Sequence, residues 1–519
     1  MGSSDAKRSS RCTALPALIC RFPGTMVAVV LVLFIIALTQ LIDFRTGELQ
    51  LSVDPSEERL LGSDHESWQF YQNTRLIFGN DETILIAIEA DDVFAPPTVE
   101  LVSRLTHRLE VVAGVRNVVS LANVLVIRSS EYGLDIVPAM EKMPEVPEEY
   151  EALRSEVMAN PLIAGTLVSN EGDATAILVN LDNTQGHEFF SQISAEVDRI
   201  VKEERGGAQI WVTGSSRIKL ATTEMVLDDL VKFPPLIIFV MMILLWLLLR
   251  SLVSVLVPLA TIIISVVWTM ATITAMGFSL NIVTALVPPL LMIVTLSYAM
   301  YVVSDFRLSA RGELAGEAET AEILQKVSLP IFLAGLTTAV GFSSLYLSEL
   351  GAIREFGLFS VIGVIYATII TLVFAPAALL LLQGQSPKTE NPVRQVEDTA
   401  FDRIIRRVAR FDAKHRMAIF FIAGAVFIIA IGGMTQLRVG TEHITNFKPE
   451  SEIRQAFEHA NAKLNGIVPF SIIVQANSSN AFKQPANLKD IEGLQSWLES
   501  QPEIGGVTSL VDYLKFVNR

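Results

Sequence analysis

KVSLPIFLAGLTTAVGFSSLYLSELGAIREFGLFSVIGV, residues 326–364, holds one apolar run, Leu329–Leu347, and opens a second, Phe356–Leu382. Arg354 and Glu355 stand in the short polar break between them, where a local ion pair or an interface anchor is expected. A run of about 18 apolar residues is long enough, as a helix, to cross roughly 30 Å of hydrocarbon. Ala334, Gly335, Ala339 and Gly341 would let such helices approach closely where lipid supplies no hydrophobic drive. Thr337 and Thr338 can bond their own helix or a facing one.

Outward from this pair the same pattern recurs. Thr25–Ile42, Phe233–Leu249, Leu252–Met276, Asn281–Val303 and Met417–Met434 complete seven candidate spans. Hydrophobic residues make up 51% of the 519, and mean hydropathy is +0.45, more than soluble domains carry. A cleaved signal peptide is the rival reading of Thr25–Ile42; the length of the run and the lack of a small-x-small site argue against it. Only Cys12 and Cys20 are cysteines, and the six histidines are scattered, so neither a disulfide framework nor a metal site is expected. With no phosphate-binding loop, nucleophile–base set or cofactor motif, no enzyme and no cofactor are predicted.

The net charge of −15 sits in one place: between Phe44 and Lys232 there are 32 acidic and 15 basic residues. That acidic segment argues against nucleic acid or an anionic lipid surface as a partner. Basic residues mark the other side: Lys7, Arg8, Arg11 and Arg21; Arg250; Arg307 and Arg311; and Arg403 through Arg416. By the positive-inside rule the N-terminus is cytoplasmic and the acidic segment lies outside. Within it, Glu82–Ala90 and Asp173–Leu181 alternate like strands, Pro97–Val112 and Glu188–Glu204 have helical periodicity, and Val115–Val124 and Gln209–Thr213 read as further strands. Two such β-α-β units predict an α+β, split ferredoxin-like domain, with Pro138–Glu156 as a loop and short helix.

An internal repeat is the other organising feature. Val53, Leu61 and Asp64 align with Val439, Phe447 and Glu450 at an offset of about 386, which also sets Ile84–Ala90 opposite Phe470–Ala476. With a small shift, Val118–Leu121 falls opposite Val507–Leu510. Six spans separate the copies, so both enter the membrane in the same direction, a tandem parallel repeat. The second copy is incomplete at Arg519, and a longer protein is expected.

Pro330, Thr337–Phe342 and Ile353–Gly357 in the opening stretch resemble the resistance–nodulation–division (RND) superfamily, in the branch of mycobacterial large membrane proteins, hopanoid exporters and sterol-sensing proteins. GVRNVVSLANV (114–124) and NPLIAGTLVSNEGDATAILV (160–179) are similar to the same branch. The resemblance implies a polytopic α-helical membrane protein of the bacterial inner membrane. Its expected parts are a cytoplasmic N-terminus (1–24), a first span (25–42), a periplasmic porter domain (43–232) and a five-span sterol-sensing-like bundle (233–382). A cytoplasmic linker (383–416), a seventh span (417–434) and a partial second periplasmic domain (435–519) follow. It implies export of a hydrophobic or amphiphilic molecule, with membrane lipids, a periplasmic adaptor and a homo-oligomer as the partners to look for. The alternative is a lipid-sensing or scaffold protein that moves nothing.

The chain departs from the family where coupling chemistry is expected. Relatives carry an acidic motif in the fourth span; here Ser297 stands for the aspartate, Tyr298 is kept, and Tyr301 replaces a histidine. A membrane-buried carboxylate can take up and release a proton, whereas a serine hydroxyl cannot. Ser297, Tyr298, Tyr301, Thr337 and Thr338 are the candidate coupling residues; Gly335, Gly341, Gly357 and Gly363 are read as packing glycines. Pro288 and Pro289 are expected to kink the fourth span. Phe401, Ile404, Ile405, Val408 and Phe411 would share one face of an interfacial amphipathic helix.

Overall fold

The computed structural model describes residues 19, 21–42, 44, 47, 50–54, 66–79, 82–130, 133–182, 187–309, 317–383, 400–437, 443–464, 467, 470–476, 478, 480–502 and 504–517. Helix α1 (Pro23–Leu41) starts on a proline, whose missing N–H costs nothing in a first helical turn. Helix α2 (Glu66–Phe78) follows and buries none of its residues. An α/β domain comes next: β1 (Thr83–Glu89), α3 (Pro96–Glu110), β2 (Val115–Val119), a hairpin of β3 (Leu125–Ser130) and β4 (Gly133–Pro138), α4 (Pro147–Ala159), β5 (Ala174–Leu181), α5 (His187–Glu204) and β6 (Gln209–Thr213).

Four strands form a sheet in the order β2-β5-β1-β6, with every neighbouring pair antiparallel. All five central residues of β1, Ile84–Ile88, are buried, so both faces of the sheet must be covered. Ile84, Ile86 and Ile88 pack with Leu101, Leu105, Val197 and Ile200 from α3 and α5. Burying each such side chain is worth about 1.5–3 kcal/mol. Register places Ala87 opposite both Ala176 and Trp211 on the other face.

The sequence-derived strand Val115–Val124 stops at Val119. Ser120 and Asn123 form a turn there: the Ser120 N–H donates to Asn123 Oδ1 (2.9 Å), and the Ala122 N–H to Ser120 Oγ (3.1 Å). Local side-chain bonds of this kind compete with a ladder and end it. The hairpin β3–β4 was not anticipated; in place of a loop from Pro138, that residue closes β4.

Gly214 turns β6 into α6 (Ser215–Leu249) at φ +113°, where a Cβ would meet the Thr83 carbonyl 2.5 Å away. α6 then runs without interruption from the sheet to the end of the second span. α7 (Leu252–Ala275), a 3-10 turn (Thr284–Leu286), α8 (Val287–Ser309), α9 (Glu317–Ser343) and α10 (Gly351–Gln383) complete the bundle. α7 and α10 hold its centre, with 56% of each span buried. A bridge between Val53 and Leu280, with Ser52 Oγ 2.8 Å from Ser279 Oγ, ties the segment after α1 to the α7–α8 connection.

α11 (Ala400–Met434) leaves helical geometry at His415 (φ −113°, ψ 23°), which separates its basic first part from the apolar span. Val408 and Phe411 are exposed on that first part; the side chains of Phe401, Ile404 and Ile405 lie outside the described residues, as does 384–399 of the linker. Then come α12 (Glu452–Lys463), α13 (Pro485–Glu499) and α14 (Leu510–Val517). Residues 470–476, expected as a strand, have no regular secondary structure and belong to no sheet among the described residues. Altogether seven helices among the described residues are long and apolar enough to cross a membrane. They match the seven apolar runs, with the second extended back to Ser215 and the fifth to Glu322.

Candidate transport site

α8 begins where Asn281 gathers the chain. Its Oδ1 accepts from the N–H groups of Val283 (3.0 Å) and Thr284 (2.8 Å), and its Nδ2 donates to Glu355 Oε2 (2.9 Å) on α10. Arg354 lies over the Tyr346 ring at 5.0 Å. Pro288 and Pro289 fall in the first turn of α8, not in its interior. There they follow the 3-10 turn Thr284–Leu286 directly, and as first-turn residues they have no intrahelical acceptor to lose.

Successive residues on a helix are turned by about 100°, and this divides the departing motif. Ser297 and Tyr301 lie on the uncovered side of α8 with Ile293; Tyr301 is 62% exposed. Ser297 Oγ donates to the Ile293 carbonyl (3.0 Å). Tyr298 faces the core, buried, and its hydroxyl has no partner among the described residues. On α9, Thr337 is exposed and bonds the Leu333 and Ala334 carbonyls, while half-buried Thr338 bonds Ala334 (2.8 Å). So the candidates do not converge on one point: Tyr298 is inside, and Ser297, Tyr301 and Thr337 line the open face.

Three hydroxyls that sequence reading passed over accompany Tyr298. Thr295 on α8 and Ser360 and Thr371 on α10 are fully buried, with side-chain oxygens that have no partner among the described residues. They contrast with Thr261, Ser265 and Thr269 on α7, equally buried, each of which bonds the carbonyl four residues back at 2.8 Å. A buried hydroxyl without a partner costs about 1–3 kcal/mol. The α8–α10 interior thus holds hydroxyl oxygens whose hydrogen-bonding capacity is unused among the described residues.

A concavity lies on the α/β domain between the end of α3 and α5. Its volume is about 630 Å³, and Val111, Phe189 and Ile193 line it beside Arg108, Glu196 and Arg199. Arg108 Nη1 reaches Glu204 (2.8 Å) and its Nη2 reaches Glu203 (2.6 Å). Those hydrogen bonds hold both carboxyls below the usual range. Among the described residues no cluster of His, Cys, Asp or Glu could hold a metal ion.

The MMPL family model matches residues 84–415, from β1 through the bundle to the basic part of α11. The chain belongs to the MMPL family. No curated protein matches it. As an MMPL-family chain it is a multi-pass membrane protein of the RND transporter type, and the matched region includes the α8–α10 interior and the α3–α5 concavity.

The glycines of this MMPL-family bundle divide as well. A Cβ at Gly335 would overlap the Thr368 side chain; at Gly357 it would meet the Phe342 carbonyl (2.8 Å); at Gly363 it would overlap Leu291 of α8. Each holds two segments closer than a side chain permits. Gly341, expected to pack likewise, has nothing within 4 Å.

Proposed function

We propose that the chain exports a hydrophobic or amphiphilic molecule, of the lipid, lipid-precursor or toxin type, across a bacterial inner membrane, driven by an ion gradient. The observation that carries this reading is the mounting of the α/β domain on the bundle through one unbroken helix, α6, in a chain of the MMPL family. The α3–α5 concavity offers apolar side chains beside charged ones, which suits an amphiphile. Domain 43–232 is read as a periplasmic, ferredoxin-like porter domain, which its strand order and interleaved helices support. A periplasmic adaptor and self-association fit the same reading. Residues 435–519 are read as the opening of a second, parallel repeat. Matching turns support that: Ser509 N–H donates to Asp512 Oδ2 (2.8 Å) and Ser509 Oγ to Gln495 (2.6 Å), as Ser120 engages Asn123 and Thr106.

The second reading is a lipid sensor or scaffold, favoured by Ser297 in place of a titratable acid. Accumulation of a fluorescent amphiphile in cells with and without the protein separates the two. Lower accumulation with the protein is expected; equal accumulation over a panel of lipids and amphiphilic toxins overturns export.

A further inference from the structure

Cations of the outer domains are matched by acids. Arg108 pairs with Glu203 and Glu204, Arg128 with Glu156, Arg217 with Asp198, and Lys463 of α12 with Asp173. The first part of α11 breaks this habit. Arg407, Arg410, Lys414 and Arg416 are exposed and form no ion pair among the described residues.

Their placement on the helix is ordered. At about 100° per residue, Arg407, Arg410 and Lys414 fall within about 60° of arc, and Val408, Phe411 and His415 fill the adjoining arc. Val408 is 60% exposed and Phe411 59%, and the Phe411 ring lies 4.8 Å from that of His415. Asp412, the one acid of residues 406–416, stands past the far edge of the apolar arc, away from the cations. Helical geometry fails at His415, and from Met417 to Met434 the chain is apolar. The break therefore falls where the helix passes from hydrocarbon to headgroups.

We propose that residues 406–416 form a binding surface for anionic phospholipid headgroups. The first part of α11 bends at His415 and lies along the leaflet, with Val408 and Phe411 in the acyl boundary and Arg407, Arg410 and Lys414 on lipid phosphates. A basic face beside an apolar one settles in the plane of the interface, and long cationic side chains reach up to the headgroups. Charge selects the lipid: a polybasic segment next to a span is drawn to an anionic leaflet. Position selects lipid over an acidic protein, since the span that follows holds the segment against the bilayer surface. The inference rests on α11 crossing the membrane and is independent of whether the protein exports.

The full chain in mixed micelles is unfolded by heat at increasing phosphatidylglycerol. A rise in the unfolding midpoint is expected, larger than with phosphatidylcholine and removed by high salt. In the variant Arg407→Gln, Arg410→Gln, Lys414→Gln, half of that rise should need about tenfold more phosphatidylglycerol. All three side chains are exposed, so the substitutions leave core packing intact. An unchanged lipid requirement in the variant overturns the proposal, and so does an equal rise with phosphatidylcholine or with inorganic phosphate alone. A second measurement reads placement. In a Cys12→Ser, Cys20→Ser background, a nitroxide is attached at Val408→Cys or at Arg410→Cys, and the protein is reconstituted in vesicles containing phosphatidylglycerol. Oxygen, which concentrates in lipid, should relax the label at 408 more than a water-soluble nickel chelate does, and the label at 410 should show the reverse. If both labels answer mainly to nickel, the segment stands in water and the lipid surface is overturned, leaving its cations to an acidic protein partner or to orienting the span.

Discussion

Tyr298→Phe separates two roles of one hydroxyl. If the buried oxygen serves only packing, removing an unpartnered polar atom should stabilise the protein by about 1–3 kcal/mol and leave transport intact. We expect the other outcome: equal or higher thermal stability together with reduced efflux under an imposed proton gradient, at matched expression. Ser297→Ala should change efflux less, since Ser297 already bonds its own helix at Ile293. The glycines give a paired test of packing. Gly363→Ala drives a methyl into Leu291 and should cost about 1–3 kcal/mol by thermal unfolding in detergent. Gly341→Ala meets open space and should be neutral or stabilising by up to about 1 kcal/mol. At this scale the sequence was informative about residue type and silent about direction. Ser297 and Tyr298 are neighbours, but every side of α8 is apolar, so no pattern told which of the two turned inward. Thr295, Ser360 and Thr371 went unread because a threonine or serine in an apolar helix ordinarily bonds its own backbone; only the packed structure shows that these do not.

Among elements, the contact of α12 with the sheet has a calculable pH response. The hydrogen bond from Lys463, and then that from Ser169, holds the Asp173 carboxyl below its usual range. A depressed carboxylate contributes stability above its unfolded pKa of about 3.9, and loses it as pH falls through the lower folded value. Lys463 is raised, chiefly by the same bond, so its contribution is full below about 10.4 and is lost only as pH rises through the raised value. Amide exchange in α12, corrected for intrinsic rate, should therefore be flat across the neutral range and lose protection in strong acid. Lys463→Ala should lower that protection at neutral pH and abolish its acid step. A step that survives the substitution would assign it to other carboxylates. Element boundaries were legible where periodicity was clean: β6 lies where alternation put it, and α5 within a residue. They failed where a side chain intervened, at the Ser120–Asn123 turn, and at β3–β4, where residues 125–137 had been assigned to no element. Pro288 and Pro289 read as a kink or as a first turn according to where the helix begins, and sequence alone leaves that start open by several residues.

For the whole molecule, the proposed orientation fixes where inserted reporters will work. A domain active only in the periplasm should function within 131–156 or after Glu450 and fail within 309–322 or 385–398; residues 131–132, 310–316 and 385–398 lie outside the described residues. Activity at the failing sites would invert or redraw the topology. The membrane architecture was readable from apolar run length alone, since hydrocarbon thickness sets it. That α12 packs on the sheet of the α/β domain was not readable, because which face a helix meets is decided by tertiary packing.

The unbroken course of α6 has a mechanical consequence. Residues 215–232 stand between the sheet and the apolar part of the helix and measure about 27 Å at 1.5 Å per residue. At the foot of that lever, Pro234 and Pro235 each remove an intrahelical hydrogen bond, leaving the carbonyls four residues earlier without their donors. The stiff arm therefore has its weakest point at its base. A bend of about 10° at this elbow would carry the sheet end sideways by about 5 Å, the width of one strand spacing. A small change of tilt in the second span thus becomes a displacement of about one strand spacing in the domain above it.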